Sequence, residues 1–573
     1  MLGAPFRVGI LSVRAFVNFR LLVSTLLVSG VISGAASAAE SLSQADVERV
    51  ISQAATEAKR RGYGAVIAVT DREGFMLGLW DVNGRLPATL PAFDLTDLTV
   101  LRNYGLAAGA VTRASTSAFL SSNENALTSR TAGFIVQQHF PPGVRNTPNG
   151  PLVGVGFSNL FFSAVNRVKL ITADVSDPVP DDESPGARTD AFPPSSLNDS
   201  PGGVPLYKNG ELVGGVGVTG DGSPTDLAPA AAVFFNQTQP SATTGFKGGS
   251  DVDELVALAG QTGFRPSSKI VATNVLVGGI RLPYVGQRVA DIRDLRDPEA
   301  LATLGNAVDV TSNGVVISGS PTASPAPYPY VQRTLGGYEG EVRFTLRADP
   351  RTTEAGHETI GGAARLTLEE VEGIISRAAA RAKSTRAAIR LPVGTSAKVF
   401  ITVVNNPDEA DRAPDILGIF RTGDGPIFSW DVSAQKAFTA VFFSNRQIAQ
   451  SCRTVGFMAQ RYYPPGLDGR SFGPLFGFQE AVSLRQSTDP LLPFPPNPNL
   501  PNGVTIFPGG FPLYRDGKLV GAIGVSGDGI DQDDIISASG CGPFVAPEAI
   551  RADRYTYRGA RLPYAKFPRD PAR

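Results

Sequence analysis

The fold of this chain is decided by two similar stretches: GGVPLYKNGELVGGVGVTGDG at residues 202–222 and GGFPLYRDGKLVGAIGVSGDG at residues 509–529. Fourteen of their 21 positions are identical, at an offset of 307 residues. In both stretches an Asn-Gly or Asp-Gly pair separates two apolar runs, a pattern typical of a β-hairpin with a two-residue turn. The recurrence of this hairpin predicts a duplicated antiparallel unit.

Three further blocks extend the similarity beyond the hairpins. They pair residues 42–59 with 366–383, 113–152 with 436–475, and 279–284 with 559–564. We therefore expect two copies of one domain, at residues 41–290 and 361–570. The first copy carries two insertions of loop-like composition, and a partly ordered linker at 291–360 joins the copies.

Each copy is predicted to order its elements as α-β-β-α-α-β-β-α. The leading helices begin at residues 43–46 and 367–370, which resemble capping boxes. Runs rich in β-branched residues at 65–71 and 398–405 predict buried strands. Because the strands are joined as hairpins and not as parallel crossovers, the predicted fold class is α+β, with an antiparallel β-sheet flanked by α-helices in each copy.

The first 39 residues read as a targeting segment. A leader with three arginines precedes an apolar run of 12 residues, Leu21 to Ile32. Ala36-Ser37-Ala38 then matches the small-residue pattern of a signal-peptide cleavage site. The run is shorter than the roughly 20 residues that a membrane span needs. We expect a signal peptide and an exported protein, periplasmic or extracellular, without a stable membrane span; a retained anchor is the alternative.

Composition argues against several classes of function. Lys and Arg total 52 against 53 for Asp and Glu, so no excess positive charge favours nucleic-acid binding. With only 2 His and 2 Cys, a His/Cys metal cage is not expected, and the two His do not furnish a triad in each copy. Cys452 and Cys541 either form one disulfide or remain two buried thiols.

The blocks resemble a known family. AVIAVTDREG (65–74), KAFTA (436–440) and GGFPLYRDGKLVGAIGVSGDGIDQDD (509–534) are similar to the GlcG/HbpS family, also called haem-degrading or PduO C-terminal-like domains. The resemblance covers the core of both copies. It implies a compact antiparallel sheet flanked by helices, with profilin-like layering and frequent self-association, and for some members it implies haem as a ligand.

Glycines in the two hairpins are the first candidate site. They recur at a spacing of three, as Gly214, Gly217 and Gly220 in the first copy and Gly521, Gly524 and Gly527 in the second. Glycine weakens a strand, so another group is expected to approach the backbone closely there. That group is either a flat ligand such as haem or a packed helix.

Basic residues at matching positions are the second candidate. Arg113 matches Lys436, and Arg130 matches Arg453. Their side chains could hold carboxylates, including the propionates of haem. The alternative is that they form structural salt bridges.

The third candidate concerns possible iron ligands. His139 aligns with Tyr462, which is followed by Tyr463. His and Tyr both ligate haem iron in other proteins. The alternative for His139 is a partly exposed polar residue at a helix end.

Taken together, these observations favour an exported tandem ligand-binding protein for haem or a related tetrapyrrole. Two alternatives remain open: an enzyme that modifies haem or another cofactor, and a non-catalytic structural or interaction module. No residue stands out as an acid, base or nucleophile, so no catalytic residue is predicted.

Overall fold

A computed structural model describes the chain from Glu40 onward, with gaps. The described residues are 40–91, 97–137, 139–153, 197–220, 251–286, 297–312, 315–327, 329–410, 412–478 and 504–572. The predicted signal segment lies outside them. Residues Glu40–Arg573 form one compact unit; we call residues 40–327 the N-terminal half and residues 329–572 the C-terminal half.

The helices follow the predicted order in each half. They are α1 (Gln44–Arg60), α2 (Leu98–Leu120), α3 (Ser129–Ile135), α4 (Val252–Gly260), α5 (Leu368–Ser384), α6 (Ser429–Phe442), α7 (Cys452–Met458) and α8 (Ile530–Cys541). Both predicted capping boxes are confirmed. Ser43 and Asp46 cap α1 reciprocally, as Thr367 and Glu370 cap α5, so each half starts with a helix whose first N–H groups are satisfied.

The strands form two main sheets that are antiparallel throughout. The N-terminal half contains β1 (Val66–Asp71), β2 (Met76–Asp81), β3 (Thr89–Leu90), β4 (Gly203–Lys208), β5 (Glu211–Thr219), β6 (Leu276–Val277), β7 (Ile280–Arg281), β8 (Asn306–Ala307), β9 (Asp309–Ser312) and β10 (Val315–Ile317). The C-terminal half contains β11 (Val331–Leu335), β12 (Tyr338–Phe344), β13 (Thr359–Ile360), β14 (Ala363–Ala364), β15 (Phe400–Asn405), β16 (Ile416–Thr422), β17 (Gly510–Arg515), β18 (Lys518–Ser526), β19 (Thr556–Tyr557) and β20 (Ala560–Arg561). The sheet orders are β4-β5-β1-β2-β8 and β11-β12-β16-β15-β18-β17.

The two predicted hairpins are formed by β4 with β5 and by β17 with β18. The central residues of the first turn have φ of 51° and 87°, and those of the second have φ of 49° and 71°. Positive φ at both positions matches the right-handed twist of the flanking strands. Each hairpin lies at one edge of its sheet, where its second strand pairs with the central strand β1 or β15.

The predicted linker, residues 291–360, contributes strands to both halves. Strand β8 pairs with β2, and β9 and β10 form a small sheet with β3. Strands β11 and β12 extend the second sheet beyond β16. The strand-like alternation at 336–348 thus corresponds to β12, and the described part of the linker covers the open edges of the two sheets.

Helices cover both faces of each sheet. In the N-terminal half, Val47 and Ile51 of α1 and Val256 of α4 pack on one face of the sheet with Val216 of β5. Helix α2 covers the other face. A separate cluster, which includes Phe119, Ile389 and Trp430, joins the two halves. Among the described residues, no helix is long and apolar enough to cross a membrane.

Candidate functional site

The first pair of predicted basic residues lies in buried ion pairs. Arg113 on α2 contacts Asp253 at 2.7 Å, and Lys436 on α6 contacts Asp533 at 2.8 Å. Lys436 also donates to the carbonyl of Val525. Burial raises the pKa of Asp533 to about 6, although the ammonium of Lys436 opposes this shift. Each cation therefore joins a sheet-covering helix to the final helix of its half.

The second pair of basic residues makes the same kind of contact. Arg130 on α3 binds Glu254 through two hydrogen bonds of 2.8 and 3.0 Å. Arg453 on α7 contacts Asp534, and its Nη2 lies 2.6 Å from Oδ1 of Asp531. These contacts correspond to the salt-bridge alternative of the sequence analysis. The structure does not place these four basic side chains around a common opening.

The predicted glycines face protein backbone. A methyl group at Gly217 or Gly524 would overlap a carbonyl oxygen of α2 or α6, respectively. At Gly214 and Gly521 it would overlap a carbonyl of the neighbouring strand. The remaining two, Gly220 and Gly527, meet the carbonyls of Gly64 and Lys398. Helix packing, the alternative to a flat ligand, therefore applies at Gly217 and Gly524, whereas strand or loop backbone approaches the other four glycines.

His139 and Tyr462 meet at the junction between the halves. Their rings stack with centroids 6.2 Å apart, and His139 Nε2 lies 3.2 Å from a carboxylate oxygen of Asp468. Asp468 also contacts Arg145. Tyr463 is buried, and its hydroxyl donates to the carbonyl of Tyr557. The aligned His139 and Tyr462 thus contact each other, while Tyr463 packs inside the C-terminal half.

A cleft of about 540 Å³ opens in the C-terminal half, away from all of these residues. Its walls are the last turn of α6 with the residues that follow, the start of the β15–β16 connection, and the β13–β14 hairpin. The lining residues are Ile360, Asn406, Pro407, Asp408, Glu409, Ala410, Val441, Phe442, Ser444, Asn445, Arg446, Gln447 and Leu519. Its size falls in the range of about 300–1,000 Å³ that is usual for small-molecule sites.

The cleft combines apolar surface with charges of both signs. Phe442 is 40% exposed, whereas Leu519 and Ile360, which also line the cleft, are buried. Glu409 is balanced by Arg351 at 3.0 Å and by His357 at 3.2 Å. Interaction with Arg351 lowers the pKa of Glu409. The guanidinium of Arg446 is exposed and makes no ion pair with any residue that the structure describes.

Fixed polar groups hold the shape of this cleft. Asn406 donates to the carbonyl of Leu519 at 2.8 Å and accepts from the amide of Asp408 at 3.0 Å. Asn445 accepts two backbone hydrogen bonds from the turn that follows α6, at 2.7 and 3.0 Å. Because these side chains are already bonded, both loops are held in one arrangement without a ligand.

Sequence reasoning missed the cleft because its residues belong to no motif. One signal was present: ten residues, 406–415, connect β15 to β16, but four residues, 72–75, connect β1 to β2. Because this connection is long in the second copy and short in the first, it marks a place where the two copies differ. It did not show that α6 and β13–β14 would complete the walls.

Neither the cysteines nor the acidic residues offer a metal centre. Cys452 and Cys541 are buried free thiols, so the disulfide alternative is not formed. Across the described ranges, no group of three or more His, Cys, Asp and Glu side chains could hold a metal ion.

The fold and the cleft define an α+β protein with buried ion pairs beneath its helices and a cleft in its C-terminal half. Residues 366–541 match the family model described as "Haem degrading protein HbpS-like". This segment, which carries α5 to α8 and strands β15 to β18 of the second sheet, is therefore similar to that family. The family model matches only one copy, so an HbpS-like identity of the N-terminal half stays a prediction.

Several solved structures are similar to about a third of the chain. The Klebsiella pneumoniae protein ORFY is 21% identical over 32% of this chain and 92% of its own, with a TM-score of 0.21. A complex of PduOC with haem is 20% identical over 31% and 94%, with a TM-score of 0.21. A double mutant of Streptomyces reticuli HbpS is 20% identical over 33% and 94%, with a TM-score of 0.20. No curated protein matched this chain.

Proposed function

We propose that this chain is an exported binding protein made of two HbpS-like domains, with haem or a related flat tetrapyrrole as its ligand. The observation that carries the proposal is the preformed cleft of about 540 Å³ in the C-terminal half. All of its lining residues except Ile360 fall within the segment that matches the HbpS-like family model. The description of that family concerns haem, which supports this class of ligand.

The two-domain part of the proposal is supported by contacts that recur in both halves. The ion pairs of Arg113 and Arg130 with α4 correspond to those of Lys436 and Arg453 with α8. The export part is supported by the sequence pattern of residues 1–39, which has a basic leader, an apolar run and a small-residue site.

Titration of the purified chain with haemin tests the ligand. We expect a Soret change that saturates at a stoichiometric ratio, because a preformed cleft orders the tetrapyrrole without a large conformational cost. Absorbance that then stays constant distinguishes binding from modification of haem. A titration without a saturating Soret change would refute haem binding.

A further inference from the structure

The last turns of α2 and α6 occupy corresponding places in the two halves, yet their surroundings differ. Phe119 matches Phe442 in the aligned blocks. Phe119 is the last residue but one of α2, and Phe442 is the last residue of α6. Phe119 is 3% exposed and Phe442 is 40% exposed. The same helix end is therefore closed in one half and open in the other.

In the N-terminal half this place is filled by the other half of the chain. Glu73, in the short β1–β2 turn, lies 3.3 Å from Arg343 and 2.9 Å from Arg421. Arg390 donates to the carbonyl of Phe119 at 3.2 Å. The turn itself closes over the ring, since a methyl group at Gly74 would overlap Phe119.

The neighbouring residues of α2 are covered as well. Ser122 donates to the carbonyl of Arg390 at 2.9 Å, and Asn125 donates to the carbonyl of Ile389 at 3.0 Å. The segment between α5 and β15, which carries Ile389 and Arg390, thus lies where a ligand would have to enter. This segment and the β1–β2 turn therefore cover the end of α2, where Phe119 is 3% exposed.

In the C-terminal half the longer β15–β16 connection holds the corresponding space open. The ring of Phe442 forms an apolar surface there, and Arg446 stands four residues further along the chain at the rim. The Arg446 guanidinium packs near the turn at Gly361, which keeps it beside the β13–β14 wall. An apolar surface next to an unpaired guanidinium suits a ligand with an apolar body and a carboxylate.

The acidic residues of the cleft do not reverse this preference. Glu409 is already paired with Arg351 and His357. Asp408 is exposed at the rim, where solvent screens its charge. Arg446 therefore remains the one described cation of the lining that is available to an anionic group.

The same lining lacks the side chains that ligate haem iron. Among the described residues that line the cleft there is no His, Cys, Met or Tyr. The nearest imidazole, His357, has its Nε2 directed at Glu409 at 3.2 Å. The described lining thus offers an apolar surface and one cation, Arg446, to the body and a carboxylate of a tetrapyrrole, and it offers no ligand to its iron.

We infer that the chain binds one ligand, in the C-terminal cleft, and that Phe442 and Arg446 hold the apolar body and a carboxylate without ligation of a metal. This inference rests on the proposed function. The inference goes beyond the proposed function because it names one site, the chemistry of the ligand and the number of ligands per chain. The equivalent place in the N-terminal half is covered by the β1–β2 turn and by the segment of the C-terminal half that carries Ile389 and Arg390.

The experiment compares three probes on the full chain: haemin, metal-free protoporphyrin IX, and protoporphyrin IX dimethyl ester. We expect one site per chain and Kd values for haemin and protoporphyrin IX that agree within about threefold, because the iron adds no bond. The ester should bind about tenfold more weakly, since a lost charge-assisted hydrogen bond is worth on the order of one such factor.

Variants then locate the site. Arg446→Gln should weaken protoporphyrin IX binding about tenfold and leave the ester unchanged, whereas Arg446→Lys should keep most of the affinity. Phe442→Glu should weaken both probes by more than about tenfold. Phe472→Glu is the matched control, because Phe472 is 52% exposed and lies outside the cleft.

The outcomes separate the two proposals. If the unmodified chain binds none of the three probes, the proposed tetrapyrrole function fails. If it binds them but with two sites, with a strong preference for haemin, or with unchanged affinity in Phe442→Glu and Arg446→Gln, the inference about the cleft is overturned. Circular dichroism spectra of each variant establish that the fold is retained.

Discussion

Asp528 shows how burial alone changes the chemistry of one residue. Its carboxylate is fully buried after β18, where Oδ2 accepts a hydrogen bond from the amide of Lys398 at 2.7 Å. The nearest nitrogen of Arg390 is 3.8 Å away, too far for a hydrogen bond. Burial raises the pKa of Asp528 to about 7, and the charge of Arg390 offsets only part of this shift.

The raised pKa of Asp528 predicts a pH-dependent stability. Between about pH 4 and pH 7 the folded chain holds a proton on Asp528 that the unfolded chain has lost, so the free energy of unfolding contributed by this group falls as pH rises. Asp528→Asn removes the titration. We expect the variant to gain stability relative to the parent chain from pH 5 to pH 8, by on the order of 2–4 kcal/mol, because one pKa unit corresponds to about 1.4 kcal/mol.

Denaturant unfolding at both pH values measures this gain. Asp516→Asn, on the exposed turn between β17 and β18, is the control and should give the same difference at pH 5 and pH 8. A difference between Asp528→Asn and the parent chain that does not change with pH would contradict the prediction.

Among the elements, the glycine strands decide how closely the helices approach the sheets. Strand β18 pairs with β15 on one side and β17 on the other, and α6 lies across it. At Gly524 the backbone of α6 approaches so closely that a methyl group would overlap the carbonyl of Ser433. The absence of a side chain at Gly524 therefore permits the short distance between α6 and the sheet.

Gly524→Ala is predicted to destabilise the chain by about 1–3 kcal/mol or more, since neither the strand nor the helix backbone can move without loss of other contacts. Gly373→Ala is the matched control. Gly373 lies within α5, and an added methyl group meets only the mobile end of Arg377.

Alanine is the better helix former, so Gly373→Ala should stabilise the chain by up to about 1 kcal/mol. Thermal unfolding of the two variants should therefore shift in opposite directions. Equal shifts would show that the close approach at Gly524 is not what limits this strand.

At the scale of the whole molecule, a charged contact joins the two halves. Glu73 of the N-terminal half lies between Arg343 and Arg421 of the C-terminal half, and both arginines are almost fully buried. Burial by itself would raise the pKa of Glu73, but the guanidinium groups of Arg421 and Arg343 outweigh it and lower the pKa to about 2. The carboxylate of Glu73 therefore stays ionised in the folded chain until the pH falls toward 2.

Glu73→Gln is expected to destabilise the chain by about 1–2 kcal/mol at pH 7, because two buried guanidinium groups then share Glu341 without the second carboxylate, while Glu73 itself is partly exposed. The stability that Glu73 contributes is present above about pH 4.5 and is lost as pH falls toward 2. The difference between variant and parent should shrink over that range.

Glu299→Gln serves as the comparison for this contact. Glu299 pairs with Lys59 on the surface, with side chains 44% and 50% exposed, so its loss should cost less than about 0.5 kcal/mol. Denaturant unfolding at pH 7 and pH 3 would measure both variants. A loss for Glu73→Gln no larger than that for Glu299→Gln would count against the role of this contact.

Much of the fold could be predicted because its signals are local. The capping boxes at Ser43 and Thr367, the turns at Asn209-Gly210 and Asp516-Gly517, and the β-branched strands each depend on residues within a few positions of one another. The basic residues were recognised, but their partners were not, because Asp253 and Asp533 lie 140 and 97 residues away from Arg113 and Lys436.

The sequence by itself determined which segments become helices and hairpins and that their order repeats, because short-range sterics, capping and alternation act within each segment. Only the tertiary structure decided that the cations are neutralised, that the glycines pack against backbone, and that one of two matching helix ends stays open. Those outcomes depend on which distant surfaces meet and what volume is left between them, and no local pattern encodes that volume.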